Sequence, residues 1–109
     1  MSKPLFSIVT IAYQNLDGLR ETVESVAGQS FRDFEHIVVD GGSTDGSKDW
    51  LEANFGGSWV SEKDDGRYDA MNKGSRTATG EYLWFLHSGD VFGDPGVLDP
   101  RNEGFEDGI

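Results

Sequence analysis

The chain alternates short apolar runs with longer amphipathic stretches. Residues 6–12 are nearly all apolar or β-branched, as expected of a strand that is buried on both faces. Leucine, valine and alanine then recur at helical spacing over residues 16–27, opposite a charged face, which predicts a helix that ends near Gly28. A second buried strand is predicted over residues 34–39, and it ends at Asp40.

The same alternation continues to the middle eighties. We predict a short helix from about residue 45 to 54, a short strand over 59–62, a helix over 69–77 and an apolar strand over 82–86. A β-α-β-α-β-α-β order with short connections is typical of a Rossmann-like, mostly parallel sheet with helices on both faces. The fold class predicted from the sequence is therefore α/β. The pattern stops after Phe92, where residues 93–109 become turn-rich and acidic without periodicity.

Composition excludes several classes of function. Nine Lys+Arg against 20 Asp+Glu give a net charge of −11, so the chain lacks the basic face that nucleic acids or an anionic membrane require. It contains no cysteine, which excludes disulfides, thiolate metal sites and a cysteine nucleophile. The first apolar run is too short for a signal sequence or a membrane span. We therefore expect a cytoplasmic protein.

Polar residues are concentrated where the predicted strands end. Because parallel strands place their carboxyl ends on one edge of the sheet, and open α/β sheets bind ligands there, this placement predicts a ligand site. Glycine, with 15 of 109 residues, is enriched in the same loops. The four strand-end segments are residues 10–15, 40–43, 62–66 and 88–90.

The two best candidate carboxylates each have an ordinary alternative. Asp40 could accept hydrogen bonds from a ribose or a base, and the neighbouring Gly41 would let the backbone approach a ligand closely. It could equally close a turn through Ser43. Asp90 is the best candidate ligand for a hard divalent cation, with Gly89 leaving room for a diphosphate. The alternative is an aspartate that caps the turn after the last strand.

The acidic stretch between residues 64 and 73 has two interpretations. It is either a solvated loop and helix start, or a site where one carboxylate meets a base while Lys73 or Arg67 reaches a phosphate. Two familiar nucleotide motifs are absent. Residues 41–48 have the glycine spacing of a P-loop but end in Ser-Lys, and no G-x-G-x-x-G follows the first strand.

Taken together, four segments resemble the N-terminal, nucleotide-sugar-binding half of the family 2 glycosyltransferases of GT-A fold. These are bacterial enzymes of exopolysaccharide, capsule and O-antigen synthesis, and the third segment looks most like the colanic-acid type. The segments cover residues 6–92 in order: FSIVTIAYQN (6–15), VVDGGSTDGS (38–47), SEKDDGRYDAMNKG (61–74) and ATGEYLWFLHSGD (78–90).

The resemblance implies a UDP-, GDP- or dTDP-linked sugar as donor. By position, Thr10, Ala12 and Tyr13 would line the nucleoside pocket, and Asp40 with Gly41 and Asp65 would hold the base and ribose. Asn72 and Lys73 would lie near the donor.

Ser88-Gly89-Asp90 takes the place of the family's D-x-D motif, whose last aspartate binds Mn²⁺ or Mg²⁺ through the diphosphate. Because the first aspartate of that motif is Ser88 here, the cation shell needs other oxygens. The implied chemistry is an inverting displacement at the anomeric carbon by a hydroxyl of a saccharide or lipid-linked acceptor.

No catalytic base is assigned, because nothing after Phe92 resembles the family's acceptor-binding half. We expect residues 1–92 to be the donor-binding half and residues 93–109 to begin the acceptor half, so that this chain alone is inactive. The full-length protein could then lie peripherally at the inner face of the membrane. The competing hypotheses are a non-catalytic nucleotide-binding or interaction module and a nucleotidyltransferase. A nucleotidyltransferase should carry a basic, glycine-rich phosphate loop after the first strand, and this sequence has none there. Separately, the open sheet edges expected of a half-domain would allow self-association into an oligomer.

Overall fold

In the computed structural model, which describes residues 4–90, strands and helices alternate as the sequence predicts. The strands are β1 (Phe6–Ala12), β2 (Phe34–Asp40), β3 (Ser58–Ser61) and β4 (Tyr82–His87). The helices are α1 (Leu16–Ala27), α2 (Ser47–Asn54) and α3 (Arg67–Thr77). The predicted tail at 93–109 and the boundary at residue 92 lie outside the described residues. Within residues 4–90, no helix is both long and apolar enough to cross a membrane.

The four strands form one parallel sheet in the order β3-β2-β1-β4. Strand β1 lies between two neighbours and all seven of its residues are buried, which explains its continuous apolar pattern. The register aligns Ala12 with Asp40 and Asp40 with Ser61, while Ile11 lies opposite His87. The carboxyl ends of all four strands therefore meet at one edge, as predicted.

Helices cover both faces of the sheet because successive side chains of β1 point in opposite directions. On one face Ala12 packs in a cluster with Leu19 of α1 and Leu51 of α2. On the other face Val9 belongs to a cluster with Ala70 of α3. The result is a three-layer α/β/α arrangement, with α1 and α2 in one outer layer and α3 in the other.

Two predicted helix starts are displaced by two residues. Helix α2 begins at Ser47 because the Asp45 carboxylate accepts hydrogen bonds from the backbone N and Oγ of Ser47, at 3.1 and 2.6 Å. Asp45 therefore lies one residue before the N-cap, which is Gly46 with a left-handed φ of 95°. Helix α3 begins earlier than predicted, at Arg67, since the Ala70 backbone N donates to the carbonyl of Gly66 at 3.1 Å.

Helix α3 approaches the sheet closely at Gly74. A Cβ atom on this glycine would lie 2.3 Å from Cγ1 of Val9, which is itself fully buried. We expect Gly74→Ala to lower the free energy of unfolding by about 1 to 2 kcal/mol, because overpacking costs more than the helix propensity that alanine adds. Urea unfolding measures this difference.

Gly56→Ala is the matched control, since a Cβ there meets nothing within 4 Å. Its stability should stay within about 0.5 kcal/mol of the original chain. Adding Val9→Ala to Gly74→Ala should give a double variant that is more stable than the two single effects predict. Strictly additive effects would contradict the proposed contact.

Candidate functional site

A cavity of about 470 Å³ opens at the carboxyl edge of the sheet. Its walls come from the ends of β1 and β4 and from the loops that follow β1, β2, β3 and β4. The predicted ligand edge thus contains a concave site of a size that suits a small molecule. The lining residues are Ile11, Ala12, Tyr13, Gly41, Lys63, Asp64, Gly66, Arg67, His87 and Ser88.

One wall is formed by an aromatic ring, a glycine and a carboxylate in close contact. A Cβ atom on Gly41 would lie 2.9 Å from Oδ2 of Asp64 and 3.2 Å from Cδ1 of Tyr13. A side chain at position 41 would therefore crowd both the Asp64 carboxylate and the Tyr13 ring at the end of β2. The Tyr13 side chain remains 63% exposed, so its ring presents a free face to a ligand. An aromatic face beside a carboxylate acceptor suits a planar ring that carries N–H donors.

The loop after β1 is fastened to the loop after β2. Gln14, the one non-glycine residue with positive φ among residues 4–90, has φ of 51°. Its backbone N donates to Oγ of Ser43 at 2.7 Å, and its side-chain Oε1 accepts from the backbone N of Thr44 at 3.2 Å. Asp45 adds a further link by accepting from the backbone N of Leu16 at 2.9 Å. These contacts hold Tyr13 at the cavity wall.

Asp40 lies beneath this wall and outside the cavity lining. Its side chain is fully buried, so the turn-closing alternative that the sequence left open is the one seen in the structure. The carboxylate joins the loop after β2 to the end of β3 and shows no free face toward a ligand. It accepts four hydrogen bonds, from the backbone N of Gly42 and Ser43 at 3.2 and 2.8 Å and from the hydroxyls of Ser43 and Ser61 at 2.6 and 2.8 Å.

In the acidic stretch, the structure brings Asp64 to the cavity and leaves Asp65 out of the lining. Asp65 is exposed, and its backbone N donates to Oδ2 of Asp69 at 3.0 Å. Oδ1 of Asp64 accepts from the backbone N of Gly66 at 3.1 Å, which helps to orient the carboxylate. The sequence offered no signal to choose between two adjacent aspartates in one loop. Asp64 and its neighbour Lys63 both line the cavity, although the sequence singled out neither of them.

The basic residues at the cavity are Lys63 and Arg67, of which only Arg67 was among the expected phosphate contacts. Lys73 lies elsewhere, with its Nζ 3.2 Å from Glu62 and 3.7 Å from Asp69. Desolvation opposes the charged form of Lys73, but the hydrogen bond and charge of Glu62, with further acidic neighbours, raise its pKa. Asn72 is exposed on α3 and does not line the cavity.

Thr10 is buried in the middle of β1 and is likewise outside the cavity lining. Its Oγ1 is hydrogen-bonded to Nε2 of His36 at 2.7 Å. Burial lowers the pKa of His36 to about 4, so this imidazole is neutral at physiological pH. Thr10 therefore takes part in the packing of His36 rather than in the cavity.

The turn after β4 brings Ser88 to the cavity and keeps Asp90 at its outer side. Gly89 has φ of 99°, a left-handed conformation that favours glycine. The backbone N of His87 donates to Oδ2 of Asp90 at 2.9 Å, so this carboxylate caps the turn, as its alternative interpretation predicted. Asp90 remains exposed, and a capping carboxylate can still bind a cation through its free lone pairs.

A divalent cation would find few protein ligands at this edge. Within the described part of the chain, no three His, Cys, Asp or Glu residues gather into a metal-binding group. Asp90 and the neighbouring Ser88 offer oxygen atoms only, which matches the preference of Mg²⁺ and Mn²⁺. Such ions often take one carboxylate from the protein and complete their shell with water and substrate phosphates. The donor set fits that mode of binding.

Comparison with known proteins places the chain among glycosyltransferases. The model of Glycosyl transferase family 2 matches residues 7–100. An uncharacterized glycosyltransferase of Mycobacterium tuberculosis is 50% identical over 100 residues, which are 89% of this chain and 38% of the relative. A PGL/p-HBAD biosynthesis glycosyltransferase of Mycobacterium bovis is 39% identical over 95 residues, or 83% and 37% of the two chains. The chain thus spans less than two fifths of these relatives.

Solved structures show the same fold. TarS of S. aureus, in a structure with UDP-GlcNAc, has a TM-score of 0.70 and 28% identity over 83% of this chain and 27% of its own. The mannosyltransferase PcManGT of Pyrobaculum calidifontis, in complex with GDP-Man and Mn²⁺, has a TM-score of 0.71 and 21% identity, over 92% and 34%. These likenesses confirm the GT-A type of α/β fold predicted from the sequence.

Proposed function

Because the chain belongs to glycosyl transferase family 2, we propose that its cavity binds the nucleotide-diphosphate part of a sugar donor. The sugar would be transferred to a hydroxyl of a saccharide or lipid-linked acceptor in bacterial polysaccharide synthesis. The donor complexes named for TarS and PcManGT, with UDP-GlcNAc and GDP-Man, support a donor of this class. The donor base, the sugar and the acceptor are left open by this proposal.

The observation that carries the proposal is the charge of the cavity. The chain has a net charge of −11, with only nine Lys+Arg, yet two of these basic residues, Lys63 and Arg67, line the cavity. Asp64 is the only carboxylate in the same lining. Two cations at a pocket mouth favour an anionic group, and a guanidinium matches phosphate geometry especially well. Tyr13 and Asp64 in the same lining suit the base.

The two ends of the cavity would then hold the two ends of the nucleotide. Tyr13 would contact the face of the base, and Asp64 would accept hydrogen bonds from its N–H groups or from ribose hydroxyls. Lys63, Arg67 and the Ser88 hydroxyl would contact the diphosphate. Burial of the base against Ala12 and Ile11 would exclude water from that end.

We propose that Asp90, with Ser88, holds a divalent cation against the diphosphate. The Mn²⁺ named in the PcManGT complex supports a metal-dependent site, and the choice between Mn²⁺ and Mg²⁺ is left open. A bound cation stabilises negative charge that develops on a leaving diphosphate. The role of the chain is to orient the donor so that an acceptor hydroxyl can attack the anomeric carbon with inversion. No described residue is assigned as the base that deprotonates this hydroxyl.

The proposal is tested by calorimetric titration of the 109-residue chain with UDP, GDP and dTDP in the presence of Mn²⁺. We expect at least one of the three to bind, and Arg67→Gln to weaken that binding about tenfold, because a charged hydrogen-bond donor to phosphate is lost. Arg76→Gln is the matched control, since Arg76 is exposed near the other end of α3 and is not part of the cavity.

Two results would contradict the proposal. Absence of binding to all three nucleotides at millimolar concentration would show that the cavity is not a donor site. Equal effects of the two arginine substitutions would show that the cavity is not where the phosphates bind. Sugar transfer by the 109-residue chain alone would instead refute the narrower proposal that this chain lacks its catalytic base.

A further inference from the structure

The turn that follows β4 is fastened to helix α1 by a buried threonine. Thr22 lies in the interior of α1 and its side chain is fully buried. Its Oγ1 donates to the carbonyl oxygen of Asp90 at 2.7 Å and accepts from the backbone N of Gly89 at 2.9 Å. The hydroxyl therefore both donates and accepts a hydrogen bond within the same turn.

This arrangement differs from the usual behaviour of a helical threonine. Such a hydroxyl generally bonds to the carbonyl one turn earlier in its own helix or points to solvent. Here it reaches backbone groups 67 and 68 positions away in the chain. A buried hydroxyl without hydrogen-bond partners costs free energy, so the bonds between Thr22 and the turn stabilise both. The geometry of the turn thus depends on a residue outside the cavity.

Two further contacts from the start of α1 complete the attachment. The side-chain amide of Asn15 donates to the carbonyl oxygen of Ser88 at 3.2 Å, and the backbone N of Gly89 also approaches the carbonyl of Gly18 at 3.0 Å. Together these bonds fix all three residues of the turn. Their combined effect is to keep Gly89 in its left-handed conformation, with Ser88 facing the cavity.

We propose that Thr22 is a positioning residue for recognition of the diphosphate. It holds the Ser88–Asp90 turn so that Ser88 and Asp90 present their oxygens to the phosphates and to a cation bound there. This inference rests on the proposed function. It has a specific consequence, because the proposed function assigns the turn to the diphosphate and Tyr13 and Asp64 to the base. Loss of the Thr22 hydroxyl should weaken binding of a nucleoside diphosphate much more than binding of its nucleoside.

The test compares UDP with uridine, and GDP with guanosine, in NMR titrations with Mg²⁺, which follow binding up to millimolar dissociation constants. Thr22→Val replaces the hydroxyl with a methyl group of similar size. We expect it to lower diphosphate affinity about tenfold, as is typical when a partner behind a ligand-binding group is removed. Nucleoside affinity should change less than about twofold, and Thr22→Ser, which keeps the hydroxyl, should restore diphosphate binding.

Thr77→Val is the matched control, because the Thr77 hydroxyl bonds only within α3, to the carbonyl of Lys73 at 3.0 Å. Amide spectra of each variant show whether it is folded. If Thr22→Val does not fold, Thr22→Ala removes the same hydroxyl without adding a methyl group, and the comparison is made with it.

Equal losses for diphosphate and nucleoside would overturn the inference, since they would show a general effect on the fold. Unchanged diphosphate binding in the valine and alanine variants would overturn it as well. Failure of the original chain to bind any nucleotide would instead refute the proposed function, so the two failures are distinguishable.

Discussion

Asp40→Ala should lower the free energy of unfolding by about 3 kcal/mol, because four donors lose a charged acceptor in a buried place. The Asp40 carboxylate is fully buried and joins the loop after β2 to Ser61 at the end of β3. Alanine leaves the backbone N–H groups of Gly42 and Ser43 without this partner. Chemical denaturation with urea measures the change, which is a large fraction of the stability of a domain of this size.

Asp33→Ala is the control for the loss of a carboxylate, since Asp33 is exposed. Its stability should change by less than about 0.5 kcal/mol. A loss of stability below about 1 kcal/mol for Asp40→Ala would contradict the turn-closing role. If stability were unchanged while nucleotide binding disappeared, the ligand-binding alternative for Asp40 would replace it.

His36 should make the fold sensitive to mild acid. Burial lowers its pKa to about 4 in the folded chain, against about 6.5 for an exposed histidine, so the unfolded chain binds a proton first. The stability that neutral His36 supports is complete above pH 6.5 and is lost as the pH falls toward 4. Over this range the loss amounts to about 3 kcal/mol, which urea unfolding at half-unit pH steps can follow.

Variants of the two histidines of the chain, His36 and His87, test this assignment. The double variant Thr10→Val/His36→Leu removes the titrating group together with its hydrogen-bond partner, and it should flatten the pH dependence between 6.5 and 4.5. His87→Asn, which removes the exposed histidine instead, is the matched control variant. A curve that is equally steep in the double variant would show that another group is responsible.

Protonation of Glu35 affects the stability of the fold in a separate, lower pH range. Partial burial would raise its pKa, but hydrogen bonds from Ser7 and from the backbone and side chain of Thr79 lower it below 4.5. A carboxylate of this kind stabilises the fold above its unfolded pKa and ceases to do so as the pH falls further. The interval from 6.5 to 4.5 therefore reports on His36.

Much of the fold could be predicted from local pattern. The seven apolar residues of β1 and the amphipathic spacing of α1 are properties of neighbouring residues, and both elements have the predicted bounds. The starts of α2 and α3 were displaced, and each helix begins directly after a glycine N-cap with positive φ, Gly46 and Gly66. In α2, the Asp45 carboxylate accepts a hydrogen bond from Ser47 from a position before the N-cap, Gly46, so Asp45 is not part of the helix.

The sequence predicted the location of the candidate site better than it predicted the residues that line it. Tyr13, Gly41 and Ser88 follow directly from their position at strand ends, and all three line the cavity. Lys73 was expected near the donor, but it faces the acidic residues Glu62 and Asp69. Asp69 lies one turn earlier in α3, an i,i+4 contact that the sequence of the helix contains, whereas the contact with Glu62 depends on how the fold places the segment before the helix.

By itself, the sequence determined the alternation of strands and helices, the parallel sheet and the edge at which polar loops gather, because these depend on short-range periodicity and on chain connectivity. Only the tertiary structure decided that Asp64 and not Asp65 lines the cavity. It also decided that the Asp40 carboxylate accepts hydrogen bonds from Ser43 and Ser61. Those outcomes depend on burial and on residues distant in the chain, since Ser61 lies 21 residues from Asp40 and Asp64 adjoins Gly41. Hydrogen-bond geometry selects among chemically identical carboxylates only once the chain is folded.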